Sequence, residues 1–365
     1  MADASPHAGV SRVSAVSFAE VFSKLLSREP LDTATVRAAF DAILRGEWTT
    51  VQTGVFAAAL RLAGESAETV GAAAEALRAT MTAVKVTGDG PLVDTCGTGG
   101  DGAHTLNLST AAALVVAACG LRVAKHGNRS VSSRCGSADV IEALGIPIDV
   151  PPELQAEVLN EAGIAFLFAP AHHPALKHAA QARRELGVRT IFNAIGPLAN
   201  PARATHQLVG VYDDGLRPVM AHALARIGVR AAWVVRSDDG LDEISPSAPT
   251  RVTELAPDGT VTERLISPED FGIARRSPDA FAGSTADENA RAILAIVRGE
   301  PHPAADAVVL NAAGALLVAG ITRDPKEAAA CAREAIASGK TVALLERWKK
   351  ATTRRSAAGG GRLST

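Results

Sequence analysis

Hydrophobic positions in the first part of the chain recur at the spacing of amphipathic helices. Four such segments follow one another, and each begins just after a residue that commonly caps a helix. The capping positions are Ser17, Asp32, Thr49 and Ser66. Ser17 and Glu20 also have the spacing of a capping box. We therefore predict a bundle of four short helices, which forms a small all-helical domain over residues 1–88.

The pattern changes after Gly88, where short apolar runs alternate with helical segments. The runs that predict strands lie at 92–94, 122–124, 164–168 and 230–235. The segments that predict helices lie at 109–119, 138–144, 153–161 and 307–319. Such alternation is typical of a mostly parallel sheet covered by helices on both faces. The fold class is therefore α/β, with a larger α/β domain over 89–171 and 201–350 following the helical one.

Two other regions depart from this alternation. Between Pro170 and Pro201, two helical segments follow each other without a strand between them. At the end of the chain, residues 352–365 are polar and include three consecutive glycines at 359–361. We predict that this tail is disordered.

Two loops rich in glycine and hydroxyl residues follow the first two predicted strands. The first is Asp94-Thr95-Cys96-Gly97-Thr98-Gly99-Gly100-Asp101, and the second is Lys125-His126-Gly127-Asn128-Arg129-Ser130-Val131-Ser132-Ser133. Loops of this kind expose clusters of backbone N–H groups, which bind anions. In a parallel sheet both loops lie at the carboxyl ends of the strands, where ligands bind. Two such loops predict a ligand with more than one phosphate group.

The first loop also matches the G-x-G-x-x-G pattern of dinucleotide-binding folds. Those folds need an acidic residue about 20 positions further on to hold the ribose. This chain has Gly120, Leu121, Arg122 and Lys125 there, with no carboxylate. Asp101 would also repel a bound diphosphate unless a metal ion lay between them. The chemistry therefore argues against a dinucleotide site.

The order of several longer motifs resembles the anthranilate phosphoribosyltransferase family, which has a nucleoside phosphorylase/phosphoribosyltransferase-like fold. The resemblance covers roughly residues 17–345. Besides the two loops, the motifs are Asn107-Leu108-Ser109-Thr110, His173-Pro174-Ala175, Arg183-Arg184-Glu185-Leu186-Gly187, Thr190 to Pro201 and Asp239-Gly240-Leu241-Asp242-Glu243. The resemblance implies that residues 172–200 join the helical domain, so that the active site lies between the domains.

The activity that the resemblance implies joins the amine of anthranilate to C1 of phosphoribosyl pyrophosphate and releases pyrophosphate, a step of tryptophan biosynthesis. It implies an Mg²⁺-dependent glycosyltransferase that works as a homodimer. Because the aromatic amine is neutral at pH 7, the enzyme chiefly has to hold the leaving group's charge and align the reactants.

The resemblance also implies roles for individual residues. Ser109, Asp242 and Glu243 would bind the metal, and Lys125, Arg183, Asp242 and Glu243 would carry the catalysis. Arg183 would pair with the carboxylate of anthranilate. The substrate-binding set would be Gly97, Gly100, Asp101, Thr105, Asn107, Leu108, Ser109, Thr110, Lys125, His126, Gly127, Asn128, Arg129, Ser130, Val131, Ser132, Ser133, Ser137, His173, Arg183 and Pro197.

Some of these residues have a plainer interpretation. Asn107, Ser109 and Thr110 could simply cap a helix, and Asp242 and Glu243 could belong to a solvated acidic turn. Arg129 could contact an anion or brace its own loop, and both readings stay open. Cys96 and Cys135 lie in or beside the loops, where we expect small buried side chains rather than reactive thiols.

The composition argues against several classes of binding partner and site. The formal net charge of −2 disfavours nucleic-acid binding, and no apolar run is long enough to span a membrane. The four cysteines lack the spacing of a zinc site or a disulfide framework, and the polar start lacks the layout of a signal peptide. We expect a cytoplasmic enzyme.

Two other functions remain open at this point. A pyrimidine nucleoside phosphorylase shares the architecture, but the second loop and the Asp242-Glu243 pair speak against it. A non-catalytic, nucleic-acid-binding relative would need a basic surface. For a transferase, a few pocket residues would decide whether the acceptor is anthranilate or a substituted aminobenzoate.

Overall fold

The first part of the chain forms the predicted helical bundle. The computed structural model describes residues 16–100, 102, 105–130 and 135–360. The bundle helices are α1 (Phe18–Leu26), α2 (Thr33–Leu44), α3 (Thr50–Ala63) and α4 (Ala67–Thr80). Asp32 and Ser66 accept the predicted capping hydrogen bonds, and Thr49 forms a full capping box with Gln52. Local signals therefore determined where α2, α3 and α4 begin, because each cap satisfies backbone N–H groups of its own helix.

The capping box predicted at Ser17 is wrong. Ser17 is the N-cap residue of α1, but its side chain makes no capping hydrogen bond. Packing holds this helix instead, because Val21 and Leu25 are buried and Phe18 makes an edge-on contact with Trp48. An exposed serine hydroxyl can satisfy itself with water, so spacing alone did not determine its bond.

The second part of the chain builds one seven-stranded sheet. Its strands are β1 (Leu92–Gly97), β2 (Arg122–Gly127), β3 (Ile164–Phe168), β4 (His206–Gly210), β5 (Ala231–Ser237), β6 (Thr250–Leu255) and β7 (Val261–Ile266). Their order is β3-β2-β1-β4-β5-β6-β7. The first five pair in parallel, and β6 and β7 add an antiparallel edge. The predicted fold class is therefore confirmed.

Helices connect and cover these strands. They are α5 (Leu108–Ala118), α6 (Ser137–Ala143), α7 (Gln155–Ala162), α8 (Ala169–His172), α9 (Lys177–Leu186), α10 (Ile191–Leu198), α11 (Leu216–Arg226), α12 (Ala286–Val297), α13 (Ala305–Val318), α14 (Pro325–Ala337) and α15 (Lys340–Gly360). The Ala-rich helices α5 and α13 pack on each other and are buried along nearly their whole length. Small side chains allow this close approach.

The segment that interrupts the strand–helix alternation lies between the bundle and the sheet. Helix α9 packs on α3 and α2, and α10 packs on α4 and α3. Phe192 of α10 contacts Phe40 of α2 with ring centroids 5.5 Å apart. Residues of α9 and α10 therefore share one hydrophobic core with the bundle.

The prediction of a disordered tail over 352–365 is wrong for its described part. Helix α15 continues to Gly360, and residues 361–365 lie outside the described part of the chain. Arg354 and Arg355 form ion pairs with Glu161 of α7, and Thr352 is buried. These ion pairs join the end of α15 to α7, a tertiary contact that sequence composition did not reveal.

Candidate active site

The carboxyl ends of β1 and β2 bring the two glycine loops side by side. The two strands pair in parallel, and they end at Gly97 and Gly127. The first residues of each loop motif therefore belong to the strands, and the turns begin only after them. Asp101, Val131, Ser132 and Ser133 lie outside the described residues.

Lys125 of β2 lies at the centre of this edge, almost wholly buried. Its Nζ donates hydrogen bonds to the carbonyl oxygen of Thr95 at 2.6 Å and to Oγ of Ser109 at 3.3 Å. Burial lowers the pKa of Lys125, while the charges of Asp94 and Glu243 act in the opposite direction. The ammonium group thus joins β1, the start of α5 and the acidic turn.

Asp94 is a fully buried carboxylate that sequence analysis did not assign to the site. It accepts a hydrogen bond from the backbone N–H of His126 at 3.2 Å and another from Nδ2 of Asn200 at 2.8 Å. Burial raises the pKa of Asp94, and the charge of Lys125 lowers it in part. The sequence signal that could have identified Asp94 is the presence of a carboxylate within the apolar run 92–94.

The Asp242-Glu243 turn approaches the ends of β1 and β4 very closely. A Cβ on Gly97 would lie 3.3 Å from Oδ2 of Asp242, and a Cβ on Gly210 would overlap the Asp242 carbonyl. The next residue, Ile244, exchanges two hydrogen bonds of 3.0 Å with the side chain of buried Asn311. Two glycines and one asparagine therefore place the acidic pair at the strand ends.

These oxygens suit a hard cation. Two carboxylates and the Ser109 hydroxyl lie around one strand edge, and Mg²⁺ is commonly held by one or two carboxylates with water and substrate phosphates. Among the described residues, no three His, Cys, Asp or Glu side chains are grouped as a metal site. Two carboxylates and one hydroxyl would suit an ion whose remaining ligands are water and substrate phosphate.

The start of α5 contributes the Asn107–Thr110 motif. Asn107 is the N-cap residue, but its side chain makes no capping bond; it donates to the Cys135 carbonyl at 3.2 Å and accepts from Asn289 at 3.0 Å. Leu108 and Thr110 are buried, and Thr105 forms an isolated bridge with Ala282. The capping interpretation of Asn107 is thus not what the structure shows.

The second loop is braced from α6. Oγ of Ser137 donates to the Asn128 carbonyl at 3.2 Å, and the backbone N–H of Ser130 donates to Asp139. Arg129 pairs with Asp139 at 2.9 Å and with Glu142 at 2.5 Å. These carboxylates raise the pKa of Arg129, and they favour the bracing role for its guanidinium.

A second region lies where α8 to α10 meet β2. His126 and His173 are buried with ring centroids 5.1 Å apart. The guanidinium of Arg183 lies 5.9 Å from the centroid of the Phe192 ring, and burial lowers its pKa. No ion pair or hydrogen bond of this guanidinium is found within the described ranges. Pro197 is also buried, and its carbonyl accepts from Gln207 at 2.9 Å.

The cysteines beside the loops are inert thiols. Burial raises the pKa of Cys135 to about 11 and the pKa of Cys96 well above its ordinary value. Neither thiol forms the reactive thiolate at neutral pH.

Comparison with known proteins assigns the family. The description "Glycosyl transferase family, helical bundle domain" matches residues 19–81, and "Glycosyl transferase family, a/b domain" matches 89–342. Anthranilate phosphoribosyltransferase of Myxococcus xanthus is 46% identical over 331 residues, which cover 90% of this chain and 98% of the relative. The enzyme of Desulfosudis oleivorans is 49% identical over 330 residues, 90% of this chain and 97% of the relative.

Solved structures support the same family assignment. The crystal structure of anthranilate phosphoribosyltransferase from Thermus thermophilus superposes with a TM-score of 0.85 at 41% identity, covering 91% of this chain and 99% of that one. The Saccharomyces cerevisiae enzyme in complex with phosphoribosyl pyrophosphate and Mg has a TM-score of 0.85 at 28% identity, covering 92% and 98%. The fold and site define a glycosyl transferase with a helical bundle and an a/b domain. The chain belongs to the anthranilate phosphoribosyltransferase family, which confirms the resemblance.

The buried histidines make stability depend on pH. Burial lowers the pKa of His126, His172 and His173, that of His173 to about 4. Between pH 6.5 and 4 the unfolded chain binds a proton at His173 that the folded chain does not, so acid lowers the free energy of unfolding. We expect His173→Gln to remove about 1.5 kcal/mol of the loss between pH 6.5 and 5. Thermal melts across this range measure it.

The exposed His222 provides the control, because His222→Gln should leave the pH slope of the melting temperature unchanged. An unaltered slope in His173→Gln would mean that this histidine is not held neutral in the folded protein.

Proposed function

We propose that this protein transfers the phosphoribosyl group of phosphoribosyl pyrophosphate to the amine of anthranilate, with release of pyrophosphate, in tryptophan biosynthesis. One observation carries the proposal: relatives of that name are 46% and 49% identical to this chain over about nine-tenths of its length. This observation favours the transferase over the two alternatives that the sequence left open, a pyrimidine nucleoside phosphorylase and a nucleic-acid-binding relative.

The leaving pyrophosphate would bind at the ends of β1 and β2. The barrier of the reaction lies in breaking the C1–O bond, which leaves negative charge on pyrophosphate and positive charge on the ribose ring. The buried ammonium of Lys125 supplies positive potential at this edge, and the backbone N–H groups of Gly99 and Gly100 would add to it. Because they are already in place, no reorganisation is needed when the bond breaks.

Asp242, Glu243 and Ser109 would hold Mg²⁺ beside these groups. The S. cerevisiae neighbour was solved with phosphoribosyl pyrophosphate and Mg, and in this chain the Asp242 carboxylate lies at the end of β1. When bound, Mg²⁺ neutralises charge on the phosphate oxygens. The protein's part is to fix the acidic turn through Gly97, Gly210 and Asn311.

Anthranilate would lie between the helical bundle and the sheet, near Arg183 and the histidine pair. Arg183 is a half-buried cation, and a guanidinium binds a carboxylate in a two-pronged geometry. Burial keeps His126 and His173 neutral, so their rings offer an uncharged surface to an aromatic ring. No general base is required, because the aromatic amine is already neutral and nucleophilic at pH 7.

Measurement of turnover in wild type and in a variant of the Asp242-Glu243 pair tests this function. We expect the fluorescence of anthranilate to decay only when phosphoribosyl pyrophosphate and Mg²⁺ are both present, and EDTA to stop the decay. The double variant Asp242→Asn, Glu243→Gln should lose about 100-fold or more of kcat at limiting Mg²⁺, because it removes both charged ligands.

The exposed carboxylate of Asp287 offers a matched control, and Asp287→Asn should behave as wild type. Near-normal rates in the double variant at limiting Mg²⁺ would remove the pair from the site. A wild-type protein that consumes no anthranilate would contradict the proposed function itself.

We propose in addition that the enzyme is a homodimer formed through the helical bundle. Apolar side chains of α1 recur every fourth residue at Phe18, Phe22 and Leu26, and α3, which packs on α1, exposes Val51 and Leu62. Leu26, Val51 and Leu62 are 68%, 73% and 89% exposed. Burial of this face against a second copy would remove a sizeable apolar patch from water.

A charge placed in this face should separate the subunits. We expect wild type to sediment as a dimer and Leu62→Glu to sediment as a monomer at the same micromolar concentration, because the interface would bury an unpaired carboxylate. Ile321→Glu, at an exposed apolar position of the α/β domain, should remain dimeric. A monomeric wild type, or a dimeric Leu62→Glu, would contradict this arrangement.

We also propose a cytoplasmic location, which the proposed biosynthetic activity favours. Within the described chain, no helix is long and apolar enough to cross a membrane. Fractionation of source cells reports the location directly, and recovery of the protein in a membrane or exported fraction would contradict it.

A further inference from the structure

Two arginines lie against the ring of Tyr212, close to the first glycine loop. The guanidinium carbon of Arg61 is 5.8 Å from the ring centroid, and that of Arg189 is 4.6 Å away. Arg61 comes from α3 of the bundle, and Arg189 from the connection between α9 and α10. Neither residue belongs to the site assigned above.

The two arginines differ in how their charge is compensated. Arg61 pairs with Asp213 at 2.8 Å and with Glu65 at 3.4 Å. In the described ranges, no carboxylate lies within ion-pair distance of Arg189, whose hydrogen bond goes to a backbone carbonyl. The charge of Arg61 is therefore balanced within the fold, whereas that of Arg189 is available to an anion.

Arg189 lies directly on the first glycine loop. Its Nη1 donates to the carbonyl oxygen of Gly99, and its guanidinium occupies the position that a Cβ on Gly100 would take. Tyr212 is tied to the same loop, because its backbone N–H donates to Oγ1 of Thr98 at 3.1 Å. The ring, the guanidinium and the loop therefore form one unit.

We infer that Arg189 is a further binding residue for the diphosphate of phosphoribosyl pyrophosphate, and that Tyr212 positions it. The bond to Gly99 covers a carbonyl that would otherwise repel phosphate, while the remaining N–H groups of the guanidinium can donate to phosphate oxygens. The inference rests on the proposed function, and it adds a cation from the bundle side to the same site.

The position of Arg189 favours contact with the diphosphate of phosphoribosyl pyrophosphate rather than with its 5-phosphate. The first loop begins at Gly97, whose Cβ position is 3.3 Å from the Asp242 carboxylate. Asp242 would help to hold a cation that neutralises charge on the diphosphate. An arginine on this loop is therefore near the leaving group, while Arg183 lies by the Phe192 ring, where anthranilate is expected.

Calorimetric titration with pyrophosphate and Mg²⁺ tests the inference. We expect Arg189→Gln to weaken pyrophosphate binding about 10- to 100-fold, the usual effect of losing a charged hydrogen bond. Arg184→Gln, which removes an exposed charge from the neighbouring helix, should bind as wild type. Arg183→Gln should instead raise the KM for anthranilate and leave pyrophosphate binding unchanged.

Tyr212 provides a second, independent readout. Tyr212→Phe keeps the ring and should bind pyrophosphate as wild type, whereas Tyr212→Leu should weaken binding several-fold, because the guanidinium loses its support. Arg189→Lys should recover part of the loss, since it restores the charge without the planar fork.

Several results would overturn the inference while wild type remains active. Unchanged or tighter pyrophosphate binding in Arg189→Gln would mean that the guanidinium only covers the loop. An equal rise of the KM for both substrates, with a lowered melting temperature, would assign Arg189 a structural role. Failure of wild type to turn over anthranilate is a separate result, which concerns the proposed function.

Discussion

The burial of one ammonium group, that of Lys125, is the constraint on which the site depends. A buried cation is costly unless hydrogen bonds and opposite charges compensate it. Here the compensation comes from the Thr95 carbonyl, the Ser109 hydroxyl and the nearby charges of Asp94 and Glu243. These partners belong to β1, the start of α5 and the acidic turn. The same interactions that make the burial tolerable therefore hold the proposed phosphate and metal ligands together.

Close backbone approach is the second requirement. The acidic turn reaches the strand ends only because Gly97 and Gly210 have no side chains, and buried Asn311 fixes the turn from α13. The Asp94–Asn200 hydrogen bond fastens the other side, where the chain leaves α10 for the sheet. The site is thus preorganised by elements far apart in sequence, as expected for electrostatic stabilisation of a leaving group.

The sequence predicted best what local signals determine. Caps at Asp32, Thr49 and Ser66 located the bundle helices, and strand–helix alternation indicated the parallel sheet. The antiparallel strands β6 and β7 were missed, because β6 has only two apolar residues, Val252 and Leu255, and β7 is largely exposed. The order of α15 depends on ion pairs with α7 that no local pattern encodes. Arg189 escaped assignment for the same reason, since only tertiary contacts bring it to the first loop.

The most direct test of this account is to measure both the turnover and the melting temperature of Lys125→Met. Because the substitution leaves the Asp94 carboxylate buried without its counter-charge, we expect a lower melting temperature together with a loss of about 100-fold or more in kcat, measured at a temperature where the variant is folded. Lys85→Met, at an exposed position, is the matched control. Near-normal turnover of Lys125→Met would contradict the claim that this buried charge organises the site for departure of pyrophosphate.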